Sequence, residues 1–346
     1  MARIVVAGAG AIGASIAYHL ALAGRGDDVV LCDRSTVASG ATGKAMGGVR
    51  QQFSSAPEVR LAQASARFFA ELGPTLFEQV GYLFLATTDE GLADLTERRR
   101  VQVELGVPVE EVDPAFVPGL RTDDVLGAVI CREDGVADPS AVTRHLADEA
   151  VRRGVELRER TDAREVDGDV LVVACGAASP ELIDVPVRPL VRQLVDTEPV
   201  PGLPRDLPMT IEGETGFHFR RAGDGLRLAR GEPHLRWDTE PFVDETLVAE
   251  VLEQLAYRYP PAAGVGAARA WAGLYDMTPD AHPIIGWVGE GIYAACGFSG
   301  HGFMQAPAVG RAVAEELAAG ESAFDLSPYR LDRFTGDAVF PETLVL

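Results

Sequence analysis

The sequence is almost without lysine: Lys44 is the only one among its 31 basic residues, and the rest are arginine. The bias reads as that of a GC-rich genome, and it leaves any lysine chemistry to Lys44 alone. Cysteine is scarce too. Cys32, Cys131, Cys175 and Cys296 stand far apart with no Cys-x-x-Cys pair. That spacing argues against a disulfide framework, a zinc site or an iron–sulfur cluster, and for buried thiols. No His-Glu-x-x-His or other compact histidine–carboxylate cluster occurs, so no metal is expected. No apolar run is long enough for a bilayer; the one from Ile12 to Ala23 is too short and carries Ser15, Tyr18 and His19. Only Met1, Ala2 and Arg3 precede the first expected strand, which leaves no room for a signal peptide, so a cytoplasmic location is expected.

Positive charge is also in short supply. With 52 acidic against 31 basic side chains, the formal charge is −21. Such a surface repels phosphate backbones and anionic membranes, so neither nucleic acid nor membrane is an expected partner. An anionic substrate would need a local cationic pocket, which makes buried arginines worth following.

What is present fits a globular enzyme: 47% apolar and 24% charged residues in 346, enough for two joined domains. Arg3 to Ala7 reads as a buried strand, Ile12 to Ala23 as a helix and Val29 to Cys32 as a second strand. A helix follows Pro57 and stops at Gly73-Pro74; a strand at Tyr82 to Ala86 and a charged helix from Asp89 to Leu105 come next. Asp138-Pro139-Ser140 is a helix start with Gly154 at its far end. Asp169 to Ala174 is a buried strand, the text from Arg188 to Arg230 is β-rich, and Val243 to Tyr259 is an amphipathic helix. A last strand, Ile292 to Ala295, leads through a glycine-rich turn to a helix from Met304 to Leu317, closed by Gly320. The pattern predicts an α/β fold: a discontinuous Rossmann-like dinucleotide domain (1–79, 135–186 and 266–346) with an inserted β-sheet-rich substrate domain (80–134 and 187–265).

Gly8-Ala9-Gly10-Ala11-Ile12-Gly13 is a GxGxxG run. In a chain with 37 glycines the bare pattern says little, but its context is specific. It follows a buried strand and opens a helix, and Asp33 ends the next strand. Gly8 would turn tightly, Gly10 admit a pyrophosphate and Gly13 let helix and strand pack closely, with Asp33 accepting from a ribose hydroxyl. Two near misses are set aside. Gly40 to Ala45 lacks the first glycine and the hydroxyl residue of a phosphate loop, and in Gly297-Phe298-Ser299-Gly300-His301 a histidine replaces the closing glycine of a nucleophile elbow.

The glycine turn alone does not choose between NAD and FAD. Three further segments do: Ser39 to Phe53 (SGATGKAMGGVRQQF), Trp271 to Gly286 (WAGLYDMTPDAHPIIG) and Gly297 to Pro307 (GFSGHGFMQAP). They resemble the glycine oxidase and sarcosine oxidase group of the D-amino acid oxidase superfamily, with its amine and proline dehydrogenase relatives. The resemblance implies FAD, which takes a hydride equivalent from the carbon bearing the amine. Imine hydrolysis follows, and dioxygen reoxidises the flavin to give peroxide. It places Gly8, Gly10, Gly13, Asp33 and Arg34 on the adenosine and pyrophosphate, and Thr42, Gly43, Ala45, Met46 and Gly47 along the diphosphate and flavin. Ala174 and Gly176 match a second cofactor-contacting strand end, and Gly300, His301, Gly302, Phe303 and Met304 match the turn and helix start beneath the flavin ring.

By the same resemblance Arg50 binds the substrate carboxylate through its bidentate fork. Tyr275 would bond the substrate or wall the pocket, and His218 would be a base or a core residue. His301 is read as structural. Gly273 stands where monomeric sarcosine oxidases carry the cysteine that tethers flavin, so FAD is expected to be non-covalent. Met304 replaces a second carboxylate-binding lysine of those enzymes, and Tyr275 an arginine of glycine oxidase. Arg227 falls near a lysine that activates oxygen in relatives. The expected substrates are glycine, sarcosine or an N-substituted glycine such as an N-carboxymethyl amino acid. The alternatives are a dehydrogenase subunit that passes electrons to a partner, and an FAD-binding assembly factor without catalysis.

Overall fold

Ile4–Ala7 (β1) is apolar and buried at every position, and Gly8 ends it in a left-handed turn at φ 102°. Ala11–Leu22 (α1) and Val29–Asp33 (β2) complete the first crossover in the computed structural model, which describes residues 2–232 and 234–335. Gly48–Val49 (β3), Ala56–Glu71 (α2), Phe77–Glu78 (β4), Tyr82–Ala86 (β5), Asp89–Glu104 (α3) and Val109–Glu111 (β6) follow. Gly127–Cys131 (β7) and Gly135–Ala137 (β8) lead to Pro139–Arg152 (α4), Glu156–Glu159 (β9), Val170–Val173 (β10) and the long Arg188–Thr197 (β11). Met209–Glu212 (β12), His218–Ala222 (β13) and Gly225–Ala229 (β14) precede Glu245–Arg258 (α5). Ala267–Met277 (β15), Ile284–Gly289 (β16), Ile292–Cys296 (β17) and Gly302–Ala319 (α6) close the described fold.

Helix boundaries follow their caps. The Asp138 carboxylate accepts from Ser140 N (2.8 Å) and Ala141 N (3.1 Å) at the start of α4, and Thr88 and Asp244 cap α3 and α5 in the same way. Gly320, at φ 83°, ends α6. That helix starts at Gly302 rather than at Met304, because its N-cap is His301 at the end of the glycine turn.

Six strands form one sheet in the order β16-β17-β10-β1-β2-β9, parallel except for the edge strand β16. Helix α1 packs between this sheet and helices α4 and α6. Nine of its twelve residues are buried, which is why it reads as apolar nearly all round. The α1–α6 approach is tight enough that a Cβ on Gly310 would lie 2.2 Å from Ser15 Oγ and 2.6 Å from the Ser15 carbonyl carbon. Eight strands form a second sheet, β15-β11-β14-β13-β12-β5-β7-β6, and β3-β8-β4 a small third. The unbroken apolar text of β5 has a simple cause. Leu83 and Leu85 face Phe217, Phe219 and Leu255 of α5's side, while Tyr82 and Phe84 face Val59, Ala62 and Leu95 on the other. The strand is buried on both faces.

One element differs from the sequence expectation. Residues 267–277, placed with the nucleotide-binding part, form β15, which pairs with β11 from Met277↔Arg188 to Ala267↔Thr197 and so belongs to the eight-stranded sheet. Residues 336–346, also assigned to the nucleotide-binding part, lie outside the described residues, as do Met1 and Pro233. Among the described residues no helix is long and apolar enough to cross a membrane. All four cysteines are free, and Cys175 alone is only partly buried.

The Gly310 contact is testable. Because the nearest atoms include backbone, Gly310→Ala forces the two helices apart, and overpacking of this kind costs about 1–3 kcal/mol. Urea unfolding is expected to show a lower midpoint at unchanged slope; a midpoint at or above wild type would show that α1 and α6 are not in the contact described.

Candidate active site

Four parallel strands of the six-stranded sheet point their carboxyl ends at one cavity of about 400 Å³, and the inner face of the eight-stranded sheet forms its far wall. The ends of β1, β2, β10 and β17 line it, which is the usual ligand position of an open α/β sheet.

At one end sits the glycine turn. A Cβ on Gly8 would lie 2.4 Å from Ala174 O, and one on Gly13 would lie 1.8 Å from Gly8 O, so both positions require glycine for backbone packing. Gly10 faces the cavity instead, where a Cβ would meet only Thr42 Oγ1, at 3.2 Å. Thr42 Oγ1 accepts from Ala11 N (3.0 Å) and so pins the 40–47 loop over the start of α1. Asp33 lines the same end; its Oδ2 accepts from Ala9 N (2.8 Å) and its Oδ1 from Ser35 N (2.7 Å). Helix α1 has Gly10 as N-cap, no side-chain cap and no acid in its first turn, a terminus suited to an anion.

Thr42, Ala45, Met46 and Gly47 continue the wall, opposite Ala174 and Gly176, the latter at φ 54°. Three expected residues do not line the cavity. Gly13 is packed under the turn, and Gly43 lies where a Cβ would come within 2.5 Å of Ala38 O. Arg34 makes a bidentate pair with Glu181 (2.7 and 3.3 Å) on the acidic surface beside Asp33.

The other end is built from β15, the turn after β17 and the loop after β3. Gly273 and Tyr275 of β15 line it, as do Gly300, His301, Gly302, Phe303 and Met304. Tyr275 lies flat against Gly300, where a Cβ would be 2.3 Å from Tyr275 Cε2. The next residue, Asp276, was not foreseen. Its Oδ2 accepts from Gly297 N (2.8 Å) and Phe298 N (3.1 Å), and its carbonyl accepts from Ser299 N (3.2 Å), so it braces the turn that aims α6. Helix α6 also begins with no side-chain cap and no acid in its first turn.

Arg50 follows β3 directly and is 1% exposed on the cavity wall. Its guanidinium lies 4.1 Å from the centre of the Phe53 ring, and Nη1 donates to Gln52 O. The loop that carries it is fastened from beneath by Asp134, fully buried, which accepts from Gln51 N (3.0 Å), Gln51 Nε2 (3.0 Å) and Gln52 Nε2 (3.1 Å). His218, at the start of β13, lines the cavity and donates from Nδ1 to Gly216 O (2.7 Å). Burial, together with the Arg50 and Arg192 charges, pushes its pKa down to about 4, so it is a neutral imidazole and too weak a base to deprotonate an alkylammonium ion. Arg227, expected near the oxygen site, is instead paired with Asp196 (2.8 and 2.9 Å), stacked on Trp271 at 4.7 Å and absent from the lining. Lys44 does line the cavity, with its stem against Gly273. Arg192, likewise not foreseen, comes from β11 directly opposite Gly273.

Residues 3–316 match the family described as FAD dependent oxidoreductase. The chain belongs to that family. It is similar to glycine oxidase from Geobacillus kaustophilus, 27% identical over 96% of this chain and 97% of that protein. It is 27% identical to 4-methylaminobutanoate oxidase (formaldehyde-forming) from Paenarthrobacter nicotinovorans over 96% of its own length, spanning only 46% of that longer protein. Among solved structures, L-proline dehydrogenase from P. horikoshii superposes with a TM-score of 0.88 at 29% identity, over 96% of this chain and 98% of that one.

FAD is therefore the cofactor, and the cavity fits it. The α1 terminus would take the pyrophosphate over Gly10, Asp33 keeps a free lone pair on each oxygen for a ribose hydroxyl, and the α6 terminus would face the flavin ring. Gly273 leaves no thiol for a tether, and a larger residue there would meet Lys44 Cβ at 3.1 Å.

Neutral burial of His218 has a pH signature. Its pKa falls from 6.5 in the open chain to about 4 in the folded one. Between those values the unfolded chain takes up a proton that the folded chain refuses, so stability present above pH 6.5 is lost as pH falls toward 4. His218→Gln is expected to flatten the pH dependence of the urea midpoint across that window. An unchanged slope would mean that the imidazole is not buried as a neutral group.

Proposed function

We propose that this protein oxidises the C–N bond of a small α-amino acid, sarcosine or another N-substituted glycine, with Arg50 holding the substrate carboxylate. The observation that carries the reading is a buried guanidinium on the wall of an FAD cavity, in a chain whose net charge is −21. A carboxylate on the Arg50 fork orients the α-carbon toward the ring position bounded by Tyr275, Gly300 and the start of α6. FAD, when bound, supplies the two-electron acceptor.

Among the described residues, neither His218 nor Asp276 is placed to act as a base. His218 is held neutral with its Nδ1 proton committed to Gly216 O, and the Asp276 carboxylate is turned to the backbone of the 297–299 turn. The amine therefore reacts in its neutral form, and activity rises with pH as the substrate loses its ammonium proton. The apolar wall of Met46, Met209 and Leu194 limits water until the imine is released. Binding is non-covalent at the flavin, for which Gly273 offers no sulfur.

Dioxygen is the acceptor in this reading, with Lys44 among the cations that line the cavity. A second reading, transfer of electrons to a protein partner, is favoured by the Asp196 charge that offsets Arg227 and by the likeness to L-proline dehydrogenase. Peroxide release decides between them: stoichiometric peroxide during turnover supports the oxidase, whereas bleaching under anaerobic substrate without aerobic turnover supports the dehydrogenase. For Arg50→Gln, losing one member of a buried charge pair costs about 2–5 kcal/mol, roughly a 30-fold or greater fall in kcat/KM. A variant within threefold of wild type on every carboxylate substrate removes Arg50 from the reading.

A further inference from the structure

Arg192 differs from three arginines of the strands and loops around it. Arg227 is paired with Asp196, Arg230 with Glu250 and Arg236 with Glu232, each at 2.8 Å. In a chain with this excess of acid, a carboxylate partner is easily come by. Arg192 has none: its Nε and Nη1 are buried, and among the described residues neither atom has a hydrogen-bond partner. A guanidinium can neither shed its charge nor leave donors unmet at small cost, so the pattern is that of a site awaiting an anion.

Its position says which anion. Arg192 projects from β11 at the register pair with Gly273, into the cavity that also holds Arg50, Tyr275 and His218. Its guanidinium carbon lies 5.7 Å from the centre of the Tyr275 ring, whereas that of Arg50 lies 4.1 Å from Phe53. The two cations thus stand over different rings, Arg192 over Tyr275 and Arg50 over Phe53, and both line one cavity. Neighbouring Gln193 fixes the strand by exchanging hydrogen bonds with Asp244, its Oε1 accepting from Asp244 N (2.7 Å) and its Nε2 donating to Asp244 O (3.1 Å).

Resting on the C–N oxidation reading above, we propose that the substrate is a dicarboxylate amine, an N-carboxyalkyl amino acid, whose second carboxylate is bound by Arg192 while Arg50 binds the first. Two fixed positive charges match two carboxylates and leave the amine between them neutral. A monocarboxylate such as sarcosine leaves Arg192 uncompensated. The oxidation is the ordinary one: the C–N bond becomes an imine, the electron pair goes to FAD, and water releases the amine and an oxo acid.

Binding is tested apart from turnover with thioethers, which have no amine to oxidise. Thiodiacetate copies the dicarboxylate and methylthioacetate the monocarboxylate; each is titrated into the FAD-loaded protein by calorimetry and by flavin difference spectra. The dicarboxylate is expected to bind at least tenfold more tightly, and Arg192→Gln to bring the ratio of the two affinities near one, with Arg192→Lys restoring part of it. Equal affinities in the wild type overturn the proposal, as does Arg192→Gln weakening both ligands alike, which is the behaviour of two arginines clamping a single carboxylate. The wild-type comparison stands even if the variants fold poorly. Anaerobic bleaching by iminodiacetate is read separately. Tight thiodiacetate binding with no bleaching by any amine refutes the oxidation reading and leaves the two-anion site in place.

Discussion

The end of the cavity around Arg50 and Tyr275 hangs on the antiparallel ribbon of β11 and β15. One strand carries Arg192; the other carries Gly273, Tyr275 and Asp276, and their register fixes Arg192 opposite the residue without a side chain. The ribbon also reaches both walls of the cofactor cavity. Trp271 Nε1 donates to Lys44 O (3.0 Å) in the 40–47 loop, and Asp276 holds the backbone of the turn before α6. A register slip would turn each of these side chains to the opposite face, so the pairing is a functional constraint as much as a structural one.

A second constraint is electrostatic. The protein keeps positive charge inside an acidic exterior, and does so on a polar foundation. Burial pushes the Asp134 pKa up to about 6, against the pull of Gln52 and Gln51, and the same hydrogen bonds hold the turn on which Arg50 sits. His218 stays neutral beside two guanidiniums, because charging it there would add a third cation to a desolvated wall. The neutral imidazole on this wall is thus in part a consequence of the two arginines that line it.

The glycine turn, Asp33, the loop from Thr42 to Arg50 and the start of α6 were readable in the sequence, since each depends on local chemistry: a positive φ, a close backbone approach, a helix terminus. Arg192 and Asp276 were not. Their roles come from the strand pairing of residues distant in sequence, and an arginine in a β-rich stretch looks the same whether or not a carboxylate meets it. The placement of β15 failed for the same reason, because the strand's own text does not say which sheet it joins. The pairing of Arg34 with Glu181, 147 residues away, was likewise not legible from its place beside Asp33. Edge strand β9, with charged Glu156, Arg158 and Glu159, left no apolar alternation to detect.

The proposed oxidation requires an amine's α-carbon hydrogen to be delivered to FAD from a carboxylate-anchored substrate. Rapid anaerobic mixing of the FAD-loaded protein with an N-substituted glycine and with its α-deuterated form tests this most directly. The expected result is single-phase bleaching that deuterium slows severalfold, with a rate that rises as the amine loses its proton. Bleaching that is indifferent to the isotope, or absent with every amine while FAD remains bound, would contradict it.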